Sequence, residues 1–116
     1  MGPFETRDVC IVGGGVAGLT AGIFTARAGL DTLVLNTGES ILARNAHLEN
    51  FPGFPAGVNA RLLLDMVHDQ AERNGCTIRA GDVTRVDPTD RDRLAVTCAA
   101  DDASPLAADY LLCTSW

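Results

Sequence analysis

The sequence predicts an α/β fold in which a parallel sheet is flanked by helices, and three observations support this prediction. A short apolar run without alternation, Val9 to Val12, is typical of a strand buried on both faces of a parallel sheet. Three glycines follow this run directly, and a helical pattern begins after them. A second apolar run, Thr32 to Leu35, then completes a β–α–β unit of ordinary length.

The glycines after the first strand have the spacing G-x-G-x-x-G, formed by Gly13, Gly15 and Gly18. The first glycine allows a tight turn, the second leaves room for a pyrophosphate against the backbone, and the third lets the helix pack closely on the sheet. The amides of Val16, Ala17 and Gly18 are then expected to point at the phosphates, where the helix dipole favours negative charge. The pattern therefore predicts dinucleotide binding, with a purely structural glycine turn as the alternative.

The first predicted helix spans about Val16 to Ala28 and is apolar nearly all round. One of its apolar stripes contains Ala17, Ala21, Phe24 and Ala28. A helix of this kind is expected to be covered on two sides, with the sheet on one of them.

The residue after the second strand is Asn36, at a position where dinucleotide folds often carry an acid that holds a ribose hydroxyl. An amide can also bond to a ribose, but a standard NAD site would have Asp or Glu here. Two interpretations of Asn36 remain open, namely a ribose contact and the first residue of an Asn-Thr-Gly turn.

The stretch from Thr37 to Val58, about twenty residues, has no clear period and is long for a connection in a compact domain. It contains the apolar and rigid segment Leu-Glu-Asn-Phe-Pro-Gly-Phe-Pro, from Leu48 to Pro55. We expect a shaped loop that lies against a ligand or a second domain.

The next segment predicts a helix capped by Asn59 and extending to about Asn74. Its apolar face contains Leu62, Leu63, Met66, Val67 and Ala71. This periodicity indicates an amphipathic helix with one face in water.

The last part of the chain predicts an antiparallel meander. Its short strands are expected at residues 77–80, 83–87 and 94–99, separated by turn-forming residues. A further short strand is expected at 106–109, and the apolar residues 110–113 should return to the buried sheet.

Composition restricts the function further. The net charge is −6, all nine basic residues are Arg, and no Lys is present. An acidic chain is a poor partner for nucleic acid. An Asp-rich and Lys-free surface suits a salt-rich cytoplasm, although biased genome composition explains it equally well.

The cysteines are widely spaced and do not form a C-x-x-C pair, so neither a zinc site nor a redox dithiol is predicted. They are interpreted as small buried apolar residues in a reducing cytoplasm. The four cysteines are Cys10, Cys76, Cys98 and Cys113.

An uncharged stretch, Val9 to Ala26, is long enough to suggest a membrane span, but it contains five glycines. A buried strand–turn–helix explains it better.

Together these motifs resemble the N-terminal part of the thioredoxin-reductase-like FAD flavoproteins, within the pyridine nucleotide–disulphide oxidoreductases. The resemblance is carried by Ile-Val-Gly-Gly-Gly-Val-Ala-Gly, by Glu-Asn-Phe-Pro-Gly at residues 49–53, by the amphipathic helix and by the meander. It implies a Rossmann-like FAD/NAD(P)-binding domain with a parallel sheet, flanking helices and a small antiparallel β-meander. Residues 1–116 would form the N-terminal part of that domain, without a nicotinamide domain.

The resemblance also implies FAD at the glycine motif and NAD(P)H as the electron donor. It places Asn36 by the adenosine ribose, Asn50 on the flavin side, and the backbone near Asp82 and Val83 at the adenine. The implied pyrophosphate contacts are Gly13, Gly15, Val16, Ala17 and Gly18.

The sequence departs from this family in several respects. Ser-Ile-Leu-Ala-Arg-Asn stands where many relatives have a Gly-Gly-Gln stretch, and Cys113-Thr114-Ser115-Trp116 stands where many have Ala-Thr-Gly. The family's nicotinamide glycine motif, its C-x-x-C and its C-terminal FAD segment are not present in these residues.

Two functions remain open. One is the FAD-binding portion of a NAD(P)H-dependent oxidoreductase, and the other is a truncated, non-catalytic nucleotide-binding or interaction module. We predict no catalytic residue and no metal site in this chain, and we expect it to lack reductase activity alone. A small-molecule cofactor is the expected partner, a homodimer is compatible, and neither nucleic acid nor membrane is expected.

Overall fold

The computed structural model describes residues 5–36, 46–89, 91–99 and 105–114. Two helices and eight strands lie within these ranges. In chain order they are β1 (Glu5–Val12), α1 (Val16–Arg27), β2 (Thr32–Asn36), β3 (His47–Leu48), β4 (Val58–Asn59), α2 (Ala60–Arg73), β5 (Thr77–Ala80), β6 (Val83–Pro88), β7 (Leu94–Cys98) and β8 (Leu106–Cys113).

The main sheet has six strands in the order β5-β2-β1-β8-β7-β6. The first four are parallel to their neighbours, whereas β7 and β6 are antiparallel. The predicted fold class, an α/β fold with a parallel sheet, flanking helices and a small antiparallel part, is confirmed.

Strand β8 corrects one prediction, because residues 106–109 and 110–113 form one continuous strand. It pairs with β1 from Glu5↔Leu106 to Val12↔Cys113. Its first residues also pair with β7, from Leu94↔Ala108 to Val96↔Leu106. The antiparallel part therefore consists of β6, β7 and the first half of β8, which joins it to the parallel sheet. Placing residues 77–80 in the meander was wrong, because β5 pairs in parallel with β2 at the opposite edge of the sheet.

The core has two clusters, one on each face of the sheet. Helices α1 and α2 pack on the first, and the antiparallel strand β7 contributes to the second. Successive residues of β1 alternate between the clusters, as the period of a strand requires. The helix-side cluster contains Val9, Ile11, Leu19, Val34, Ala71 and Cys76, and the opposite cluster contains Cys10, Leu33, Leu35, Val96, Leu106 and Ala108.

Helix α1 is covered less completely than its sequence predicts. Leu19 is fully buried against the sheet, and Ala21 and Ile23 also pack on the helix-side cluster. Ala17 is exposed, and the ring of Phe24 is 71% exposed. The described residues thus cover the side of α1 that faces the sheet and α2, and they leave Ala17 and Phe24 exposed.

Helix α2 begins as predicted, since the Asn59 side chain accepts a hydrogen bond from the Leu62 amide at 3.0 Å. The predicted apolar face is partly wrong. Leu63 and Ala71 are buried, but Leu62 and Met66 are exposed. The buried stripe is narrow because α2 meets its neighbours on one side only, and residues one position away on the helix turn toward water.

The loop between β2 and α2 contains more structure than its sequence predicts. Strands β3 and β4 pair in antiparallel fashion, His47 with Asn59 and Leu48 with Val58. The Ala60 amide also donates to the Ala46 carbonyl at 2.7 Å. The second half of the predicted loop is therefore a small hairpin, and residues 37–45 lie outside the described part.

The cysteines follow the prediction in part. Cys10 and Cys76 are buried and Cys98 is half-buried, but Cys113 is exposed, which the sequence does not predict. Burial, with the nearby Cys98 and Cys113, raises the pKa of the Cys10 thiol to about 12. No described helix is long and apolar enough to cross a membrane.

Candidate dinucleotide site

The parallel strands end together at one edge of the sheet. Val12 of β1 lies between Leu35 of β2 and Cys113 of β8, and Asn36 lies beside Ala80 of β5. In open α/β sheets, ligands bind at the carboxyl ends of the strands. The residues that follow these four strands therefore form the candidate site.

The glycine turn follows β1, the strand between β2 and β8. Gly13 has a φ of 127°, a conformation that residues with a side chain rarely adopt. Its amide donates to the Leu35 carbonyl at 2.9 Å, so the turn is attached to the end of β2. This is the tight turn that the first glycine of the motif predicts.

Gly18 is buried in the first turn of α1, where the helix approaches the end of β1. A Cβ built at this position would overlap the Gly13 carbonyl oxygen and would lie 2.8 Å from the Thr114 hydroxyl. The third glycine of the motif therefore has the predicted role of letting the helix begin close to the sheet.

The beginning of α1 fits an anion. Gly15 is the N-cap residue, and within the described chain no side chain caps this end and no acidic residue lies in the first turn. The first α-helical hydrogen bond joins the Leu19 amide to the Gly15 carbonyl at 3.0 Å. The amides of Val16, Ala17 and Gly18 precede this bond, as is usual for a helix end that receives phosphate.

Asn36 lies directly against the glycine turn. A Cβ built on Gly14 would come within 2.8 Å of the Asn36 side chain. The Asn36 carbonyl accepts from the Gly81 amide at 3.0 Å, which fixes the end of β2 beside the end of β5. The structure thus brings the Asn36 side chain to the glycine turn.

Val83 follows Gly81 by two residues and is the first residue of β6. It pairs with Cys98 and packs on the cluster opposite the helices. A cavity of about 300 Å³ borders this region on that face of the sheet. Its wall includes Glu5, Leu35, Arg79, Asp82, Cys98 and Leu106.

Asn50 lies in a different part of the surface. It is in the loop between β3 and β4 and lines an open concave surface with Phe51 and Phe54, whose ring centroids are 6.2 Å apart. Strand β4 of this small sheet contacts α2. Asn36 contacts the glycine turn, and Asn50 lines this other concave surface.

Thr114 is a site residue that sequence reasoning did not select. Its amide donates to the Val12 carbonyl at 2.9 Å, and its hydroxyl lies 3.2 Å from the same carbonyl and 3.5 Å from that of Gly13. The sequence feature that points to Thr114 is its position, because it is a polar residue directly after an apolar strand that is predicted to return to the buried sheet.

A parallel α/β sheet with a glycine turn at its carboxyl edge is the architecture of the dinucleotide-binding class of folds. The model of the family described as pyridine nucleotide-disulphide oxidoreductase matches residues 7–114. The chain belongs to this family, and the resemblance to thioredoxin reductases predicted from the sequence is confirmed.

Among curated relatives, thioredoxin reductase of Streptomyces coelicolor is 42% identical over 86 residues, which cover 72% of this chain and 27% of the relative. Thioredoxin reductase of Aquifex aeolicus is 40% identical over 87 residues, which cover 73% of this chain and 27% of the relative. The chain therefore spans about a quarter of the length of these relatives.

Solved structures agree with this match. A thioredoxin reductase from Gloeobacter violaceus has a TM-score of 0.82 at 30% identity, covering 94% of this chain and 34% of that one. Thioredoxin reductase from Giardia duodenalis has a TM-score of 0.84 at 30% identity, covering 94% of this chain and 35% of that one. Thioredoxin reductases of this family use FAD and NADPH, so the cofactors predicted from the sequence agree with the family.

Proposed function

We propose that this chain, residues 1–116, is the N-terminal part of an FAD-binding domain and contributes it to a NAD(P)H-dependent flavoprotein oxidoreductase similar to thioredoxin reductase. The observation that carries the proposal is the glycine turn, which joins a buried parallel strand to a helix start that no side chain of the described residues caps. This turn lies against Asn36, and the match to the family covers both.

In this proposal the backbone of the glycine turn and the start of α1 bind the pyrophosphate. Asn36 bonds to the adenosine ribose, Val83 borders the adenine, and Asn50 contacts the flavin side. Bound FAD would supply the redox chemistry by accepting a hydride from NAD(P)H. The proposed pyrophosphate residues are Gly13, Gly15, Val16, Ala17 and Gly18.

The residues of the chain bind and orient in this proposal and do not take part in proton transfer. The unpaired amides of the first helical turn supply partial positive charge to the phosphates. The absence of an acid from that turn of α1 avoids repulsion. Three successive glycines, Gly13 to Gly15, allow the phosphates to approach the backbone closely.

Titration of FAD into the purified chain, followed by quenching of flavin fluorescence, tests the proposal. Gly18→Ala should weaken binding by more than about tenfold, because the added Cβ displaces the helix from the Gly13 carbonyl. Gly22→Ala is the matched control. It lies in the same helix, and its added Cβ meets the Cys76 sulfur at 3.0 Å, away from the site. Absence of FAD binding by the unmodified chain would exclude autonomous binding.

The second candidate function is a non-catalytic nucleotide-binding or interaction module. The observation that favours it is the spacing of the cysteines, which form no C-x-x-C pair in this sequence. Anaerobic addition of NADPH to the FAD-loaded chain separates the two functions. Bleaching of the flavin absorbance supports a reductase at this length, and a stable spectrum supports the binding module.

We further propose a salt-rich cytoplasm as the location of this chain and a homodimer as its assembly. The acidic, Lys-free composition supports the first proposal, and the exposed rings of Phe24 and Tyr110 support the second. Sedimentation equilibrium in dilute buffer and in molar salt tests both. A folded monomer whose stability and solubility do not respond to salt would contradict them.

A further inference from the structure

We propose that Thr114 is a positioning residue for the glycine turn: its hydroxyl holds the Gly13 carbonyl and thereby keeps the phosphate-facing backbone in one conformation. The consequence for cofactor affinity rests on the proposed FAD site, but the role of Thr114 in the turn can be tested without a cofactor.

Gly13 is held from both neighbouring strands. On one side, its amide donates to Leu35 at the end of β2, at 2.9 Å. On the other side, its carbonyl oxygen lies 3.5 Å from the Thr114 hydroxyl, directly after β8. Because the peptide unit is planar, a fixed Gly13 carbonyl also fixes the direction of the Gly14 amide. The two strands beside β1 therefore set the orientation of the first peptide of the turn.

The Thr114 hydroxyl is not needed to complete the sheet. The Val12 carbonyl already accepts the Thr114 amide at 2.9 Å, which continues the pairing of β1 with β8. The hydroxyl adds a second donor at 3.2 Å from that carbonyl, and its single proton is shared with the Gly13 carbonyl. An alanine or valine at this position would keep the backbone bond from the Thr114 amide to Val12 and would lose the contacts of the hydroxyl with the Val12 and Gly13 carbonyls.

A turn of three glycines needs such a restraint. Gly13, Gly14 and Gly15 have no side chains that limit their backbone angles, so ordering them costs more conformational entropy than ordering other residues. Thr114 also lies where the helix begins, since a Cβ on Gly18 would be 2.8 Å from its hydroxyl oxygen. The hydroxyl therefore lies next to both the turn and the first turn of the helix.

Amide hydrogen exchange in the cofactor-free chain is the deciding measurement. Thr114→Val removes the hydroxyl and keeps a branched side chain, and Thr114→Ala removes both. Thr114→Ser retains the hydroxyl. Exchange at the Gly13 and Leu19 amides, which are bonded to Leu35 and Gly15, should accelerate about three- to tenfold in the first two variants and stay near wild type in the third.

The matched control is Thr84→Val. Thr84 also donates from its hydroxyl to a backbone carbonyl, that of Thr97 at 3.3 Å, but it lies on β6. This variant should leave Gly13 and Leu19 unchanged. The reference amide is Ala99, which is bonded to Asp82 at 2.8 Å and should not respond to any Thr114 variant.

FAD affinity gives a second readout, with an expected loss of about three- to tenfold for Thr114→Val and recovery for Thr114→Ser. If the wild-type chain binds no FAD, the proposed function fails for this chain, while the exchange data still decide the role of Thr114. Unchanged exchange in Thr114→Val, equal acceleration at Ala99, or a Thr114→Ser variant as fast as Thr114→Val would each overturn the inference.

Discussion

At the scale of single residues, charged side chains link parts of the sheet that are distant in sequence. Glu5 bonds to Arg79 at 2.7 Å and to Arg7 at 2.9 Å, and Arg7 also bonds to Asp31 at 2.9 Å. The Arg79 and Arg7 guanidinium groups hold the pKa of the Glu5 carboxyl below its ordinary value of 4.5. This cluster is one reason why the first and fifth strands keep their relative positions.

Glu5→Gln should lower the free energy of unfolding at neutral pH by about 0.2–1 kcal/mol, because the pairs are partly exposed and screened by water. A carboxyl whose pKa is lower in the folded state stabilises the fold above the unfolded pKa and loses that contribution as pH falls through the folded pKa. The difference between wild type and variant should therefore be constant above about pH 5 and shrink below it. Urea unfolding at several pH values measures this difference.

Glu49→Gln is the control for this comparison, because Glu49 is 81% exposed and its contact is with His47 at 3.5 Å. A pH dependence of the same size in both variants would show that the Glu5 cluster has no special role.

At the scale of elements, the two helices differ in how their first backbone amides are capped. Helix α2 is closed by the Asn59 side chain, as its sequence predicts. Helix α1 has Gly15 at its N-cap, and no side chain in the described part of the chain caps it. Capping side chains or water satisfy the first amides of a structural helix, whereas a helix end that receives an anion leaves them for the ligand.

Asn59→Ala should therefore destabilise the protein by about 1 kcal/mol, because the Leu62 amide loses its acceptor. Asn59→Asp keeps an acceptor oxygen and places a negative charge at the positive end of the helix, so it should match or exceed wild-type stability. Thermal unfolding of the two variants measures the difference. Equal losses in both would mean that the amide nitrogen of Asn59, and not its oxygen, is the group that matters.

At the scale of the whole molecule, β8 joins two kinds of sheet. Its full length lies beside β1 in parallel, and its first residues pair with β7 in antiparallel fashion. Val96 of β7 is 1% exposed and packs among Cys10 and Leu33 of the parallel strands. The meander and the parallel sheet therefore share a core and should unfold together.

Val96→Ala should lower the free energy of unfolding by roughly 1–3 kcal/mol in a single transition, because it removes buried methyl groups from that shared core. Val86→Ala is the matched control, since Val86 pairs with Val96 on the next strand but is 38% exposed, and it should cost less than about 0.5 kcal/mol. Two separate unfolding transitions in denaturant would contradict a common core.

Local patterns in the sequence predicted much of the fold and part of the site. The unbroken apolar runs predicted β1 and β2, the glycine spacing predicted the turn, and Asn59 predicted the start of α2 because each depends on residues close together in the chain. The continuity of β8 was missed, since its two halves differ in sequence and become one strand through pairing with β1. The exposed faces around Leu62 and Phe24 were missed because burial depends on which neighbours reach a helix.

The sequence by itself determined that a tight glycine turn lies between a buried strand and a helix, because glycine adopts this backbone geometry readily and residues with a side chain rarely do. Only the tertiary structure decided which residues meet there. Asn36 and Thr114 reach Gly13 and Gly14 because β2 and β8 lie on either side of β1, and strand order is set by long-range pairing.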